Sequence, residues 1–460
     1  MAFGIAVGTS DGAGASTIAQ RGEGGTLKGN LSSGQSLLIE STCGEHAKTT
    51  AAASFSNGGE NSGTTEPAHG GQRTLQGNLT NTGTLAVNAN TSYNASSATL
   101  TNEGAIDLAE GTLLSVSGNA TVSNNGGTIA GAGSGALSQT GGTFNEGAGK
   151  TAGGEPVILD NALLHYTGKG ASTIALRGEG STLKGSLNGG QVLSIQSTCS
   201  SHAKTTIAGN YANYGTIDLT NGDGCANNAT LALAGKTLTN KGTINSESPQ
   251  GGARTIEGVL LNEGTVSLSA GETLKVTATY TQSSKGKLKV LIASATSFGA
   301  LSVSGSATVA GTLVVSQTPP FVASLGQTFA FLGGALLAGT FATETGDQIN
   351  STGLYYKPTY SATAVTLAVT QATLSLSATS GLPGSVVTLS GSGYLPGDTI
   401  TPTFTDHNKV KTTFPSVTTN GSGEFSTEIT IPAGAALKGG SISIKSTQTG
   451  VTITKTFTVT

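Results

Sequence analysis

Two ten-residue stretches of this sequence carry side chains that could do chemistry. STCGEHAKTT, at residues 41–50, and STCSSHAKTT, at residues 197–206, each place a cysteine three residues before a histidine. The two pairs are Cys43 with His46 and Cys199 with His202. A thiolate and an imidazole at this spacing could bind a metal ion, or could act as a nucleophile and its base.

Neither kind of site is complete in the sequence. A structural zinc needs four ligands, and Cys225 is the only obvious third ligand for the second pair. A catalytic thiol needs a base held by an orienting group, and no candidate for that group is evident. We therefore predict no metal ligand, no cofactor and no catalytic thiol, and we interpret His46 and His202 as parts of a duplicated turn.

Carboxylate chemistry is the other option to test. A glycosidase places two carboxyl groups about 5 to 9.5 Å apart, which in a repeating fold requires acids at matching positions of adjacent repeats. Asp107 in GAIDL and Asp218 in GTIDL occupy similar positions, but the repeats that follow have Ala130 and Asn245 there. Asp223 is the single acid of the loop TNGDGC. We predict that the chain has no catalytic residue and is not an enzyme.

Two further motifs have simple structural interpretations. The sequence RGEG occurs twice and predicts surface ion pairs between neighbours on one strand face, Arg21 with Glu23 and Arg177 with Glu179. The aromatic residues between Phe329 and Tyr360 are the one candidate platform for a sugar. We expect them to be buried instead.

These residues lie within a repeat. Residues 14–50 and 170–206 match at a constant offset of 156 positions, which indicates an internal duplication. A shorter unit, an Asn-x-Gly turn followed by alternating apolar residues, has a period of about 22 residues. It occurs at Asn81, Asn102, Asn125, Asn213, Asn240 and Asn262, with an extra glycine in the Asn125 copy.

The short unit predicts a β-solenoid. Asn and Gly tolerate the left-handed backbone of a tight turn, and the alternation after each turn sends Ile217, Ile244 and Val266 to the same side. Such a unit buries its apolar face only by stacking on identical units at about 4.8 Å. We predict that this solenoid spans residues 1–316, with an array of β-sandwiches as the alternative for part of the chain.

The C-terminal third has longer strand patterns. We predict terminal coils and a cap over residues 317–370, because an open solenoid end would expose its core and its unpaired strand. Residues 371–460 contain about seven alternating strands separated by Gly, Pro and Asn turns, a pattern typical of an immunoglobulin-like sandwich without a disulfide.

The coil period also gives an account of the cysteines. Cys199 and Cys225 are 26 residues apart, close to one coil, so they should lie on neighbouring coils within disulfide distance. The first copy lacks 25 residues between Asn57 and Gly70, where the counterpart of Cys225 would lie. We therefore predict a Cys199–Cys225 disulfide and a free thiol at Cys43.

Composition limits the classes of function. Charged residues make up 10% of the chain, the net charge is -3, and the sequence has no basic cluster. Nucleic-acid binding requires such a cluster, so we predict no nucleic-acid partner. No run of 18 apolar residues occurs, and we predict no membrane insertion. The start, MAFGIAVGTSDGAGAS, lacks the basic segment of a signal peptide, so we expect a fragment or mature region of a secreted protein.

Three segments resemble known families. The N-x-G-T-I coils resemble secreted bacterial right-handed β-helix proteins, the class of filamentous-haemagglutinin-like adhesins and autotransporter passengers. The run FGALSVSGSATVAGTLVV, with the strands after it, is similar to the segment that closes such passengers. SATSGLPGSVVTLSGSGYLPGDTI resembles a bacterial Ig-like domain of the IPT/TIG type. The resemblance implies a right-handed parallel β-helix and an extracellular or cell-surface location.

Three functions follow as hypotheses. The first is a non-enzymatic adhesin or surface stalk whose partner is a surface glycan or a matrix ligand. The second is a carbohydrate-active β-helix enzyme, a polysaccharide lyase or glycosidase. The third is a self-assembling matrix or filament subunit, whose copies associate end to end.

Overall fold

The computed structural model describes residues 6–7, 16–27, 30–33, 35–40, 46–51, 55–57, 60–63, 73–94, 96–207, 209–247, 249–346, 348–349 and 353–460. All regular elements in these ranges are β-strands. Within the same ranges there is no helix with the length and apolar character needed to cross a membrane.

Most of the strands form a parallel β-solenoid of about 11 turns with roughly 23 residues per turn. This confirms the solenoid and the repeat predicted from the Asn-x-Gly period. By internal contacts the chain divides into two compact units, residues 1–260 and residues 261–460. The predicted boundaries at 316 and 370 both fall inside the second unit.

The first unit contains three sets of parallel strands, and the last strand, Arg254–Asn262, continues two residues into the second unit. Sheet 1 has the strands Ala6–Val7, Glu23–Leu27, Ala47–Ala51, Arg73–Gln76, Thr91–Asn94, Leu113–Ser117, Ala136–Thr140, Val157–Asp160, Ser172–Arg177, Gln191–Ser197, Thr216–Asn221 and Thr243–Ser246. Sheet 2 has Ser16–Arg21, Gln35–Glu40, Glu60–Gly63, Thr84–Val87, Ala105–Leu108, Thr128–Gly131 and Lys150–Ala152. Sheet 3 has Phe55–Asn57, Leu79–Asn81, Thr99–Asn102, Thr121–Asn124, Thr143–Glu146, Leu163–Tyr166, Ser181–Lys184, Ala203–Ile207, Tyr211–Asn213, Ala229–Asn240 and Arg254–Asn262.

The core of the first unit consists of columns of aliphatic side chains. Alternate residues of each strand point inward, because successive Cβ atoms of a strand lie on opposite faces. Ile217 pairs in register with Ile244 on the next coil, and both are fully buried. Val266, the third member of the predicted column, is also fully buried, in the second unit.

The second unit begins with further parallel coils. Its strands of sheet 1 are Thr265–Leu268, Lys287–Ile292, Thr312–Gln317 and Thr343–Thr345. Its strands of sheet 3 are Thr273–Val276, Tyr280–Gln282, Ala300–Val303, Ser306–Val309, Thr328–Gly333 and Leu336–Gly339, followed by an antiparallel hairpin of Leu354–Tyr360 and Ala364–Gln371. Thr328–Gly333 pairs antiparallel with the second strand of this hairpin, so the parallel stacking ends here.

Two further sheets, mostly antiparallel, complete the chain. One contains Ser375–Leu376, Val386–Gly391 and Phe425–Thr430. The other contains Ser380–Gly381, Thr399–Thr405, Lys411–Thr413, Val417–Thr418, Lys438–Ser446 and Thr452–Val459. Their inward side chains share one apolar core, with Leu389, Phe404 and Phe457 among its fully buried members.

Candidate functional site

The Asn-x-Gly turns form a buried column of amides. Asn81 Nδ2 donates to Asn102 Oδ1 at 2.8 Å, and Asn102 Nδ2 donates to Asn124 Oδ1 at 3.0 Å. Each amide also donates to a main-chain carbonyl of the following coil, Asn102 Nδ2 to Thr128 O at 3.2 Å, for example. The column therefore satisfies main-chain and side-chain groups at a corner that water does not reach.

One predicted member of this column is wrong. The Asn-x-Gly pattern predicts Asn125, but Asn102 pairs in register with Asn124, which is fully buried, while Asn125 is exposed. The turn after Asn124 contains three residues before Thr128, one more than the turn after Asn102. The extra glycine lengthens the turn, so the motif match falls one residue too late.

The same arrangement recurs farther along the chain. Asn213 Nδ2 donates to Asn240 Oδ1 at 2.7 Å and to Thr243 O at 3.0 Å. In the second unit, Asn262 Nδ2 donates to Gln282 Oε1 at 3.3 Å. All three asparagines are fully buried, so their role is to hold the coil corners.

Cys199 and Cys225 are joined by a disulfide, with their Cα atoms 4.9 Å apart. Each lies in a loop that leaves a sheet-1 strand, and these strands are neighbours in which Ser197 pairs with Asn221. The bond therefore links loops of adjacent coils. Cys43, the predicted free thiol, lies outside the described residues.

A hydrogen-bond framework holds the disulfide loops independently of the sulfur atoms. Asn221 Nδ2 donates to Ser197 Oγ and to Cys225 O, both at 3.0 Å, and Asn227 Nδ2 donates to Thr198 O at 2.6 Å. Arg254, which is fully buried, donates to the side chain of Asn221 and to Asn227 O. Arg254 also donates to Glu247 O, so its guanidinium links the loop that follows Asn221 to the loop of the next coil.

Asp223 lies at the centre of this cluster. Its carboxylate accepts the Cys199 N–H at 2.6 Å and the Cys225 N–H at 3.3 Å. The possible ligand atoms of Cys199, Asp223 and Cys225 all lie within 4.8 Å of one another. Because both sulfurs are used in the disulfide, neither is a thiolate that could bind zinc or attack a substrate.

The histidines of the two stretches, His46 and His202, are both exposed. His202 Nδ1 accepts the Asn228 N–H at 3.0 Å, which connects it to the loop of the next coil.

The two aspartates compared above do not occupy equivalent positions. Asp107 lies on sheet 2, paired with Ala86 and Ala130, whereas Asp218 lies on sheet 1, paired with Ser194 and Asn245. The similar sequences GAIDL and GTIDL do not reveal this difference, because the strand after the asparagine turn belongs to a different sheet in each region.

Asp218 has an acidic neighbour that the sequence comparison missed. Burial raises the pKa of Asp218, and hydrogen bonds from Asn245 and Ser194 oppose that rise. Burial and the charge of Asp218 together raise the pKa of Glu247. Glu247 follows the strand of the next coil, so it could have been found only by allowing acids at non-matching positions.

The RGEG prediction gave the wrong partners. Arg21 Nε pairs with Glu40 at 2.8 Å, and Arg177 Nη2 pairs with Glu155 at 3.0 Å. Gly22 and Gly178 both have positive φ, 75° and 72°, so the chain turns between each arginine and the glutamate two residues on. Neighbouring coils supply the anions instead.

The C-terminal sheets carry a groove with a volume of about 590 Å³, which lies in the size range of small-ligand sites. Ser375, Ser390 and Ser426 lie in register across three strands and present exposed hydroxyl groups to it. Asn420 and Glu424 line it as well, with Asn420 Nδ2 donating to Glu424 Oε2 at 3.2 Å.

The aromatic residues between Phe329 and Tyr360 are mostly internal. Phe329, Phe331, Tyr355 and Tyr356 are at most 1% exposed, whereas Tyr360 is 37% exposed. They therefore pack the end of the coils and the hairpin, and do not form an open platform.

Comparison with known proteins adds no family. No protein-family model matches the sequence, and no curated protein matches it.

Proposed function

We propose that the chain is a non-enzymatic adhesin or surface stalk that acts outside the cell. The observation that carries the proposal is the Cys199–Cys225 disulfide between exposed loops of adjacent coils. Disulfides of this kind persist in oxidising, extracellular environments. The low charge, 10% of residues, supports a role built on broad polar faces of Ser, Thr and Asn.

The proposal includes the finer architecture. We assign the solenoid a right-handed sense, the antiparallel hairpin at Leu354–Gln371 the role of a cap, and the last two sheets an Ig-like fold. The antiparallel pairing and the shared core of these sheets support that assignment.

The groove on the C-terminal sheets is the ligand face that we assign to an adhesin. Its hydroxyl, amide and carboxylate groups suit a polar partner such as a surface glycan or a matrix protein. A binding screen against immobilised glycans and matrix proteins tests this, with Glu424→Gln as the groove variant and Glu428→Gln, on the strand Phe425–Thr430 that follows, as the control. Binding that Glu424→Gln weakens and Glu428→Gln leaves intact supports the assignment, and equal binding by all three proteins contradicts it.

A carbohydrate-active enzyme is the second candidate, because Asp218 and Glu247 interact and both have raised pKa values. Interacting carboxyl groups with displaced pKa values are the basis of glycoside hydrolysis. Common polysaccharides should be incubated with the parent protein and with Asp218→Asn. Turnover by the parent protein that is lost in Asp218→Asn would favour the enzyme hypothesis over the adhesin hypothesis. End-to-end assembly detected by light scattering would favour a filament subunit.

A further inference from the structure

The asparagine column of the first unit ends at an acid. Asn124 pairs in register with Glu146 on the next coil, and Glu146 pairs with Tyr166 on the coil after that. Glu146 is fully buried and occupies the place at which three preceding coils have an amide. An amide column can continue through any number of coils, because each amide is both donor and acceptor, whereas an ionised carboxylate can only accept.

The polar groups around Glu146 contain no cation. Asn124 Nδ2 lies 3.3 Å from both carboxyl oxygens of Glu146. The ion pairs in the described part of the chain join Arg21 to Glu40, Arg177 to Glu155 and Lys204 to Glu257, so none of them involves Glu146. Lys150, whose main-chain oxygen accepts from Asn124, has an exposed side chain.

Two tyrosine hydroxyl groups are buried near this point. Among the described residues, Tyr166 Oη makes no hydrogen bond, whereas a hydrogen bond with the backbone of Leu187 opposes the rise in the pKa of Tyr211. The two tyrosines are 4% and 3% exposed, and Tyr166 interacts electrostatically with both Tyr211 and Glu146. Neutral hydroxyl groups can donate to or accept from the carboxyl group, but they carry no positive charge that would compensate a buried carboxylate.

We propose that Glu146 is a buried proton-binding site, which carries a proton in the folded solenoid and releases it when the surrounding coils open. Burying an unpaired carboxylate is far less favourable than burying the neutral acid. The neutral acid also adds a donor, which the carboxylate lacks, at the end of the amide column. Folding of the middle coils is thereby coupled to the uptake of one proton.

The direction of the coupling follows from the pKa values. Burial raises the pKa of Glu146 from 4.5 to about 8, against the opposing effect of the Asn124 hydrogen bond. The titratable groups that face it, Tyr166 and Tyr211, have pKa values raised by burial, so both stay neutral over this range. Between about 4.5 and about 8 Glu146 therefore holds a proton in the folded chain and none in the unfolded chain. The equilibrium constant for folding should therefore fall by about tenfold per pH unit in that window from this group alone.

The first experiment compares three proteins by urea denaturation from pH 5 to pH 8. They are the parent, Glu146→Gln, which keeps an acceptor for Asn124, and the control Glu110→Gln, which changes an exposed acid of the same unit. We expect the logarithm of the folding constant to fall more steeply with pH in the parent than in Glu146→Gln, by about one per pH unit. Glu110→Gln should follow the parent. Equal slopes for the parent and Glu146→Gln would overturn the proposal.

A spectroscopic experiment reads the proton directly in the folded protein. The infrared difference spectrum between the parent and Glu146→Gln at neutral pH should contain the C=O stretch of a neutral carboxylic acid. A carboxylate band in its place would overturn the proposal. Should Glu146→Gln fail to fold, Glu146→Asn, which continues the amide column, serves for both measurements.

Discussion

At the residue scale, the described coils depend on polar side chains that are fully buried and fully used. Asn102 accepts a hydrogen bond from Asn81 and donates to Asn124 and to the carbonyl of Thr128. Arg254 is equally buried and donates to main-chain carbonyls of two loops. Removing either side chain leaves several buried groups without a partner, which is more costly than losing an exposed hydrogen bond.

Asn102→Ala is therefore expected to reduce the free energy of unfolding by about 2 to 5 kcal/mol. The matched control is Asn125→Ala, because Asn125 satisfies the same motif but is exposed. That variant should stay within about 0.5 kcal/mol of the parent. Urea denaturation of the two variants measures the difference. Equal destabilisation would mean that the register places Asn125, and not Asn124, in the column.

The cysteines give a second prediction at this scale. Peptide mapping of the non-reduced protein should recover one cross-linked peptide pair, Cys199 with Cys225, and one alkylated peptide that contains Cys43. The hydrogen bonds from Asn221 and Asn227 align the two loops, so this link should re-form after reduction and reoxidation. A link from Cys43 to either partner, or one bound zinc ion per chain, would contradict it.

At the scale of the element, strand register decides which side chains are internal. The strand Thr243–Ser246 directs Ile244 into the core while Thr243 and Asn245 remain partly exposed. A shift by one residue would exchange the two faces of the strand. The asparagine turn prevents that shift, because Asn213 and Asn240 are linked side chain to side chain just before their strands begin.

Ile244→Asp should be strongly destabilising, by several kcal/mol, because it places a charge in an aliphatic column beside Ile217. Thr243→Asp, one position earlier on the outward face, should change the free energy of unfolding by about 0.5 kcal/mol or less. Thermal unfolding followed by circular dichroism compares the two. If Ile244→Asp melted within a degree or two of the parent, the inward column would be wrong.

At the scale of the whole molecule, the second unit joins two kinds of architecture through shared core residues. Tyr355 lies on the antiparallel hairpin, yet it belongs to the apolar core of the C-terminal sheets and donates to Gly393 O at 2.5 Å. Lys357 Nζ of the same strand donates to Tyr394 O at 3.2 Å. A boundary at residue 370 therefore separates a side chain from the core that it fills.

We expect Tyr355→Ala to destabilise the C-terminal sheets by about 3 to 5 kcal/mol, since it removes a fully buried ring from their core. Tyr360→Ala, on the same strand but 37% exposed, is the control and should have a smaller effect. Hydrogen exchange of residues 372–459 in the intact chain reports the local loss. Unchanged protection in Tyr355→Ala would show that the hairpin does not support these sheets.

The sequence by itself determined the features that short-range chemistry controls. Turn residues, alternation and a period near 22 residues predict stacked parallel coils, and the same period brings Cys199 and Cys225 together. Only the tertiary structure decided which neighbours meet across coils: Asn124 in place of Asn125, Glu40 in place of Glu23, and different sheets for Asp107 and Asp218. It also decided that Glu146 is buried without a cation. The physical reason is that local turns set the period, whereas the contacts of a side chain depend on the register between strands about 20 residues apart, and one added glycine in a turn shifts that register.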